Sequence, residues 1–217
     1  MLMKIFERLK EDIDTVYKID PSAINILEVI LCQPGLHAIW FHRIAHKLWK
    51  WKIPVIPRLI STLSRFFTGV DIHPAAIIGR RFFIEHGAGV VIGETTEIGE
   101  DCLLYQQVTL GATGSQKGKR HPTLKNGVIV GAGAKVIGSL TLGNHSKVGA
   151  GSVVITDVPD YATVVGVPGR VIVQKVRNDE GVLMPTRMPD PISCELNRLK
   201  YEIQELKEAV EKANHNN

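Results

Sequence analysis

Ile84-Glu85-His86-Gly87-Ala88, Ile92-Gly93-Glu94-Thr95-Thr96 and Ile98-Gly99-Glu100-Asp101-Cys102 each set an aliphatic residue first and a small one fifth. Ile72-His73-Pro74-Ala75-Ala76 precedes them. Val130-Gly131-Ala132-Gly133-Ala134, Leu142-Gly143-Asn144-His145-Ser146, Val148-Gly149-Ala150-Gly151-Ser152 and Val154-Ile155-Thr156-Asp157-Val158 form a second block. A six-residue period from Ile72 to Pro159 is the signature of a β-helix. One coil is too thin to bury its own apolar residues, so only stacking makes a core. The aliphatic residue points inward, the fifth sits beside it where space is short, and glycines serve the corners. Two breaks interrupt the pattern. From Ile84 to Ile92 the step is eight residues, a slip of two that keeps inward parity. Between Leu110 and Val130 the pattern lapses into a polar, Gly- and Lys-rich excursion, Thr113 to Lys125. A rigid prism with one long loop places the candidate site near that loop.

The 217 residues leave room for one domain with accessories or for two small domains. The start, Met1-Leu2-Met3-Lys4, becomes charged at once and lacks the apolar region of a secretory leader. The apolar run Ile24 to Leu31 is eight residues and contains Glu28, so no membrane span is expected. Cys32, Cys102 and Cys194 lie far apart without metal spacing, which points to a reducing compartment, the cytoplasm. Cys102 falls at an inward fifth position and is expected to be a small core residue. A formal charge of +4 fits a phosphorylated ligand and is too dispersed for nucleic acid.

Upstream, residues 4–17 read as a helix, and Asp20-Pro21 as an N-cap with proline at the first helical position, starting a helix that ends before Pro34-Gly35. Leu36, Trp40, Ile44, Leu48 and Trp51 recur at helical spacing, and a fourth helix over 57–67 finishes at Thr68-Gly69. Trp40, Trp49 and Trp51 are expected to pack or to meet other subunits. Downstream, Val164 to Arg170 ends the coil, Pro185 to Pro191 forms a linker, and Leu196, Leu199, Ile203, Leu206 and Val210 make a short a/d seam. That seam can fold back on its own subunit or join sister chains. The class is therefore α+β, with a helical domain over 1–69, a parallel β-helix over 70–172 carrying a loop at 112–125, and a linker with a terminal helix over 173–217.

Among eight histidines, His37, His42, His46, His145 and His215 have bland readings, and His73 before Pro74 is expected to make a structural hydrogen bond. His86 and His121 stand apart. His86 is followed by Gly87 and Gly89, which allow close approach of a ligand or backbone, and His121 closes the long loop. Asp71 precedes His86 by 15 residues, near the 18 of one coil, so it is expected one coil away, about 5 Å along the axis. A carboxylate there would orient the imidazole and raise its basicity, as a general base requires. A zinc site is the rival, but zinc takes three or more protein ligands and the repeats hold no closely spaced histidine pair.

Val70-Asp71-Ile72-His73-Pro74-Ala75-Ala76, Ile84-Glu85-His86, Val91-Ile92-Gly93-Glu94-Thr95, Val108-Thr109-Leu110-Gly111 and Lys119-Arg120-His121-Pro122 resemble the serine O-acetyltransferases, from Asp20 through Arg170. The resemblance implies a left-handed β-helix, active sites between subunits, and acetyl transfer from acetyl-CoA to L-serine for cysteine synthesis, with no metal. It makes His86 the general base and Asp71 its partner. Asp20, Glu85, Arg120 and His121 would hold the amino acid: Arg120 suits the carboxylate through its planar fork, and Asp20 suits the ammonium. Gly111, Thr113, Ala132, Lys147 and Ala150 would line the acetyl-CoA path. The family often has Asp where Glu85 stands and Gly where Ala112 stands. Members that dock on O-acetylserine sulfhydrylase end in isoleucine, whereas this sequence ends in Asn217, so that complex is not expected. L-cysteine is expected to compete with serine, and a homotrimer is the expected assembly. Two other readings are an acyltransferase for a sugar or homoserine, and a non-catalytic trimeric scaffold.

Overall fold

The structure, a computed structural model, describes residues 2–114, 117–172 and 198–207. Helices α1 (Leu2–Ile19), α2 (Ile26–Cys32), α3 (Pro34–Lys50) and α4 (Ile56–Thr68) come first. Very short strands then wind through three sheets. The first sheet stacks β1 (Asp71–Ile72), β4 (Val91–Ile92), β7 (Thr109–Gly111), β10 (Lys135–Ile137) and β13 (Val153–Val154). The second stacks β2 (Ile77–Ile78), β5 (Glu97–Ile98), β8 (Thr123–Leu124) and β11 (Thr141–Leu142). The third stacks β3 (Phe83–Ile84), β6 (Leu103–Leu104), β9 (Ile129–Val130), β12 (Lys147–Val148), β14 (Thr163–Val165) and β15 (Arg170–Ile172). All pairs are parallel except β14–β15, the antiparallel turn that closes the coil after Val164.

The register measures each coil. Asp71 pairs with Val91, twenty residues on; Val91 with Thr109, eighteen on; Thr109 with Lys135, twenty-six on; Lys135 with Val153, eighteen on. The surplus residues are the slip after Ile84 and the loop after β7. Both breaks in the repeat are therefore structural insertions in an otherwise regular stack.

The leading aliphatics Ile72, Ile84, Ile92, Ile98, Val130, Leu142, Val148 and Val154 are buried, as are the fifth-place Ala76, Thr96, Cys102, Ala134, Ser146, Ser152 and Val158. Ala88 is the exception: it is exposed, and Val90 takes the inward place, because the inserted residues push the corner outward. Cys102 is a core residue whose thiol donates to the Lys125 carbonyl at 3.0 Å; burial pushes its pKa up to about 12.

The helical half corrects one expectation. Asp20 caps no helix; α2 starts six residues later, capped by Asn25, whose side chain accepts from the Glu28 amide at 2.9 Å. As expected, α2 ends before Pro34, which begins α3, where its missing N–H costs nothing. Helix α4 ends as expected on Gly69, in the left-handed conformation at φ 72°. Buried Asp12 ties α1 to α3, accepting from Trp40 Nε1 at 3.0 Å and pairing with Arg43. Trp49 sits edge-on against His73, and Trp51 lies exposed beneath Lys47. A side chain at Gly35 would fall 2.1 Å from the Ile84 carbonyl, so glycine alone lets α3 rest on the coil beside Glu85.

Helices and coil belong to one compact unit, residues 1–175. Residues 176–217 form a second, in which 198–207 are helical with an Arg198–Glu202 pair at 3.3 Å. The linker 185–191, Cys194, Leu196, Val210, His215 and Asn217 lie outside the described residues. No described helix is long and apolar enough to cross a membrane.

Candidate active site

The predicted residues gather in two places. The first is the edge where the third sheet turns into the first. His86 lies in the inserted residues of that corner, exposed, at φ 59°. A non-glycine residue there costs about 1–2 kcal/mol, a strain that aims the imidazole outward. Glu85 is beside it, and Asp20 reaches the same edge from the end of α1. Asp20 accepts from the Ser22 hydroxyl at 2.6 Å, the Ser22 amide at 2.8 Å and Gln33 Nε2 at 3.0 Å. The Ser22 hydroxyl does most to hold its pKa below the usual range. Glu85 moves the opposite way, raised first by burial and then by the charge of Asp20. Two adjacent carboxylates that disfavour each other's charge form a seat for a cation such as an ammonium.

The second place is a cleft of about 370 Å³ against the first sheet, lined by Arg58, Asp71, His73, Glu94, Arg120 and His121 among others. Thr95 organises the end of the long loop. Its Oγ1 accepts from the amides of Arg120 and His121, both at 3.0 Å. That leaves its proton for His121 Nδ1 at 2.9 Å, which also accepts from the Thr95 amide at 3.2 Å. Nδ1 is thus an acceptor, and the neutral ring carries its proton on Nε2. Burial, then the Arg120 charge, keeps the His121 pKa below its ordinary value. A Cβ at Gly93 would fall 1.9 Å from the His121 ring, so only glycine allows this packing. Arg120 pairs with Glu94, whose pKa it lowers. Asp71 pairs with Arg65 at 3.3 Å.

One expectation is corrected. Asp71 does not lie one coil from His86 within the chain: the next coil puts Val91 over Asp71, on the first sheet, while His86 projects from the corner after the third sheet. A separation of fifteen falls short of the regular eighteen-residue turn, and further short of the twenty that this coil takes.

The residues expected along the acetyl-CoA path divide likewise. The Gln107 amide donates to Ala88 O, the Gly133 amide to Gln106 O and the Gly151 amide to Ala132 O, each at 2.8–2.9 Å. Ala88, Gln106, Ala132 and Ala150 therefore occupy one corner of successive coils, a column of mostly small residues rising about 14 Å from the corner of His86. Lys147 lies on the third sheet, Gly111 at the end of β7 on the first, and Thr113 exposed in the loop after it.

His73 makes the structural bond expected, its Nδ1 accepting from the Ala75 amide at 3.0 Å, and it also lines the cleft. Burial, then the Arg58 charge, drives its pKa down to about 4. Arg58, Arg65 and Glu94 were not singled out from the sequence as site residues. The seven-residue spacing of Arg58 and Arg65, two turns along α4, was the available signal. Among the described residues no group of three His, Cys, Asp or Glu side chains could hold a metal ion.

No family model matches the chain. It is 58% identical over 209 residues to the serine acetyltransferase of Bacillus subtilis, covering 95% of each. Among solved structures, the Brucella abortus serine acetyltransferase in complex with coenzyme A superposes with a TM-score of 0.76 at 40% identity, over 78% of this chain and 68% of that one. A serine acetyltransferase in complex with cysteine gives 0.75 at 40% identity, over 78% and 70%. Repeat, corner and cleft agree with that likeness: the chain belongs to the serine acetyltransferases.

Proposed function

We propose that the acetylation of L-serine by acetyl-CoA takes place here at a site built by two copies of the chain, within a homotrimer. The observation that carries this reading is the separation of the two half-sites: His86 with Asp20 and Glu85 on an edge, Asp71 with Arg120 and His121 on a face. Neither half is sufficient for a zwitterionic substrate and a base with its carboxylate. A three-fold arrangement sets the edge of each prism against the face of the next, and repeats the contact three times without leaving a free end.

In this site Asp20 and Glu85 receive the serine ammonium, and Arg120 and His121 the carboxylate. His86 takes the hydroxyl proton as the serine oxygen attacks the thioester carbonyl. The C–S bond then breaks, and His86 returns the proton to the departing thiolate. Asp71 of the neighbouring copy stabilises the imidazolium between those events. General-base assistance contributes about 10²- to 10⁴-fold, and holding both reactants together adds to it. The small residues Ala132 and Ala150, with Gly111, Thr113 and Lys147, accommodate acetyl-CoA along the corner. Opposite charges at the two ends of the acceptor site favour an amino acid over a sugar.

L-cysteine, nearly isosteric with serine, competes for the same place; the cysteine complex of a related enzyme supports this. The coil winds left-handed, a helical domain over 1–69 and the coil over 70–172 act as one compact body followed by the segment 173–217, and the free thiol of Cys32 suits a cytoplasmic setting. Thiol release from acetyl-CoA, measured with serine during size determination by light scattering, tests the reading. Full activity in a monomer would overturn the two-copy site.

A further inference from the structure

Counting Arg65, which reaches Asp71 from outside the lining, three guanidiniums serve the cleft on the first sheet against the two carboxylates of Asp71 and Glu94. Arg58 and Arg65 lie two helical turns apart on α4, so both stand on one side of the helix. Arg65 is taken up by Asp71 at 3.3 Å. Arg120 is taken up by Glu94. The guanidinium of Arg58 lines the same cleft and makes no ion pair or hydrogen bond with a described residue. His73 and His121, with pKa values pushed down by burial, are neutral at pH 7 and add no charge. The cleft's unmatched charge therefore sits on Arg58, and an arginine is always protonated.

We infer that Arg58 is a second carboxylate-binding residue for the amino-acid substrate, lining the same cleft as Arg120. The inference rests on the reading that this cleft receives the substrate carboxylate. A carboxylate offers about four acceptor sites on two oxygens, and one guanidinium fork fills only two of them. Arg120 must moreover divide its donors between the substrate and Glu94. Arg58 has no such competitor among the described residues, so its donors are available to the remaining lone pairs. Its place on α4 matters too: the helix is fixed to the coil by Ser61, whose hydroxyl donates to the Ile72 carbonyl at 2.5 Å, so the guanidinium is carried on a rigid support.

Steady-state kinetics on the intact protein test this, with Arg58→Gln, Arg58→Lys and Arg120→Gln each assayed on L-serine and on L-serinamide, which keeps the amine and hydroxyl but lacks the carboxylate. Arg58→Gln is expected to raise the serine KM roughly ten- to hundredfold while kcat and the acetyl-CoA KM stay within about twofold. Turnover of serinamide is expected to be unchanged, and Arg58→Lys to recover part of the serine KM. A thermal melt shows that each variant is folded. If Arg58→Gln leaves the serine KM alone while Arg120→Gln raises it, the role of Arg58 falls and the cleft reading stands. If neither variant moves the serine KM, the cleft reading fails and the inference with it. An equal loss on serine and serinamide would make Arg58 structural, and a raised acetyl-CoA KM would place a phosphate there instead; either overturns the inference.

Discussion

Asp71 pairs across the first sheet with Val91 on the next coil, not with the coil position of His86. The carboxylate and the imidazole that the chemistry requires together thus leave one prism from different sides. Subunit mixing tests this directly. His86→Ala and Asp71→Ala are each expected to be nearly inactive alone, the first losing about 10²- to 10⁴-fold in kcat. Random mixed trimers of the two are expected to regain about a quarter of the wild-type activity, the fraction of interfaces that keep both residues. No recovery on mixing would place both residues in one subunit's site.

Gly93 is the floor on which the His121 ring rests. Gly93→Ala puts a methyl group within 1.9 Å of that ring, which must then move. Misplacement on the scale of an ångström is expected to lower kcat/KM for serine by roughly 10²-fold, with about 1–3 kcal/mol lost from stability. A fully active Gly93→Ala enzyme would remove His121 from the substrate site.

The column of Ala88, Gln106, Ala132 and Ala150 is expected to be the path of acetyl-CoA. Ala150 is exposed, so a larger residue there leaves the core intact. Ala150→Trp is expected to raise the acetyl-CoA KM about tenfold or more while the serine KM holds. Initial-rate kinetics with each substrate varied in turn make the comparison.

His42 sets a limit at acid pH. It lies on the buried side of α3, close to His46, Arg43 and His73, with Nδ1 lacking a partner among the described residues. Burial, then the charge of His46, drives its pKa from 6.5 to about 3. The folded value lies below the unfolded one, so the unfolded chain takes up this proton first. Stability is whole above pH 6.5 and is lost as pH falls toward 3, by on the order of 2 kcal/mol from this group at pH 5. Urea midpoints at pH 7 and pH 5 are expected to converge in His42→Gln relative to wild type.

The repeat made much of this protein legible in one dimension. Inward residues, corner glycines, the two-residue slip and the long loop all follow from a period that any coil must obey to bury an apolar wall. The helical segment was less legible: Asp20-Pro21 has the letters of a cap, yet its carboxylate is occupied by Ser22 and Gln33, and Asn25 starts the helix. Arg58 and Glu94 were hidden for a similar reason. A charged residue on a surface helix or in a repeat gives no sign of which neighbour neutralises it.

The sequence by itself determined the coil, its core and the kinds of side chain at the site, because periodicity fixes which residues face inward and chemistry limits what the rest can do. The tertiary structure decided which of those side chains meet. Coil length sets rotation about the axis, and a separation of fifteen, short of both a regular eighteen-residue coil and the twenty found here, puts Asp71 and His86 at different places around it. Helix α4, laid against β1, brought Arg58 and Arg65 beside a cleft whose other residues come from the coil, a distance in sequence that no local pattern spans.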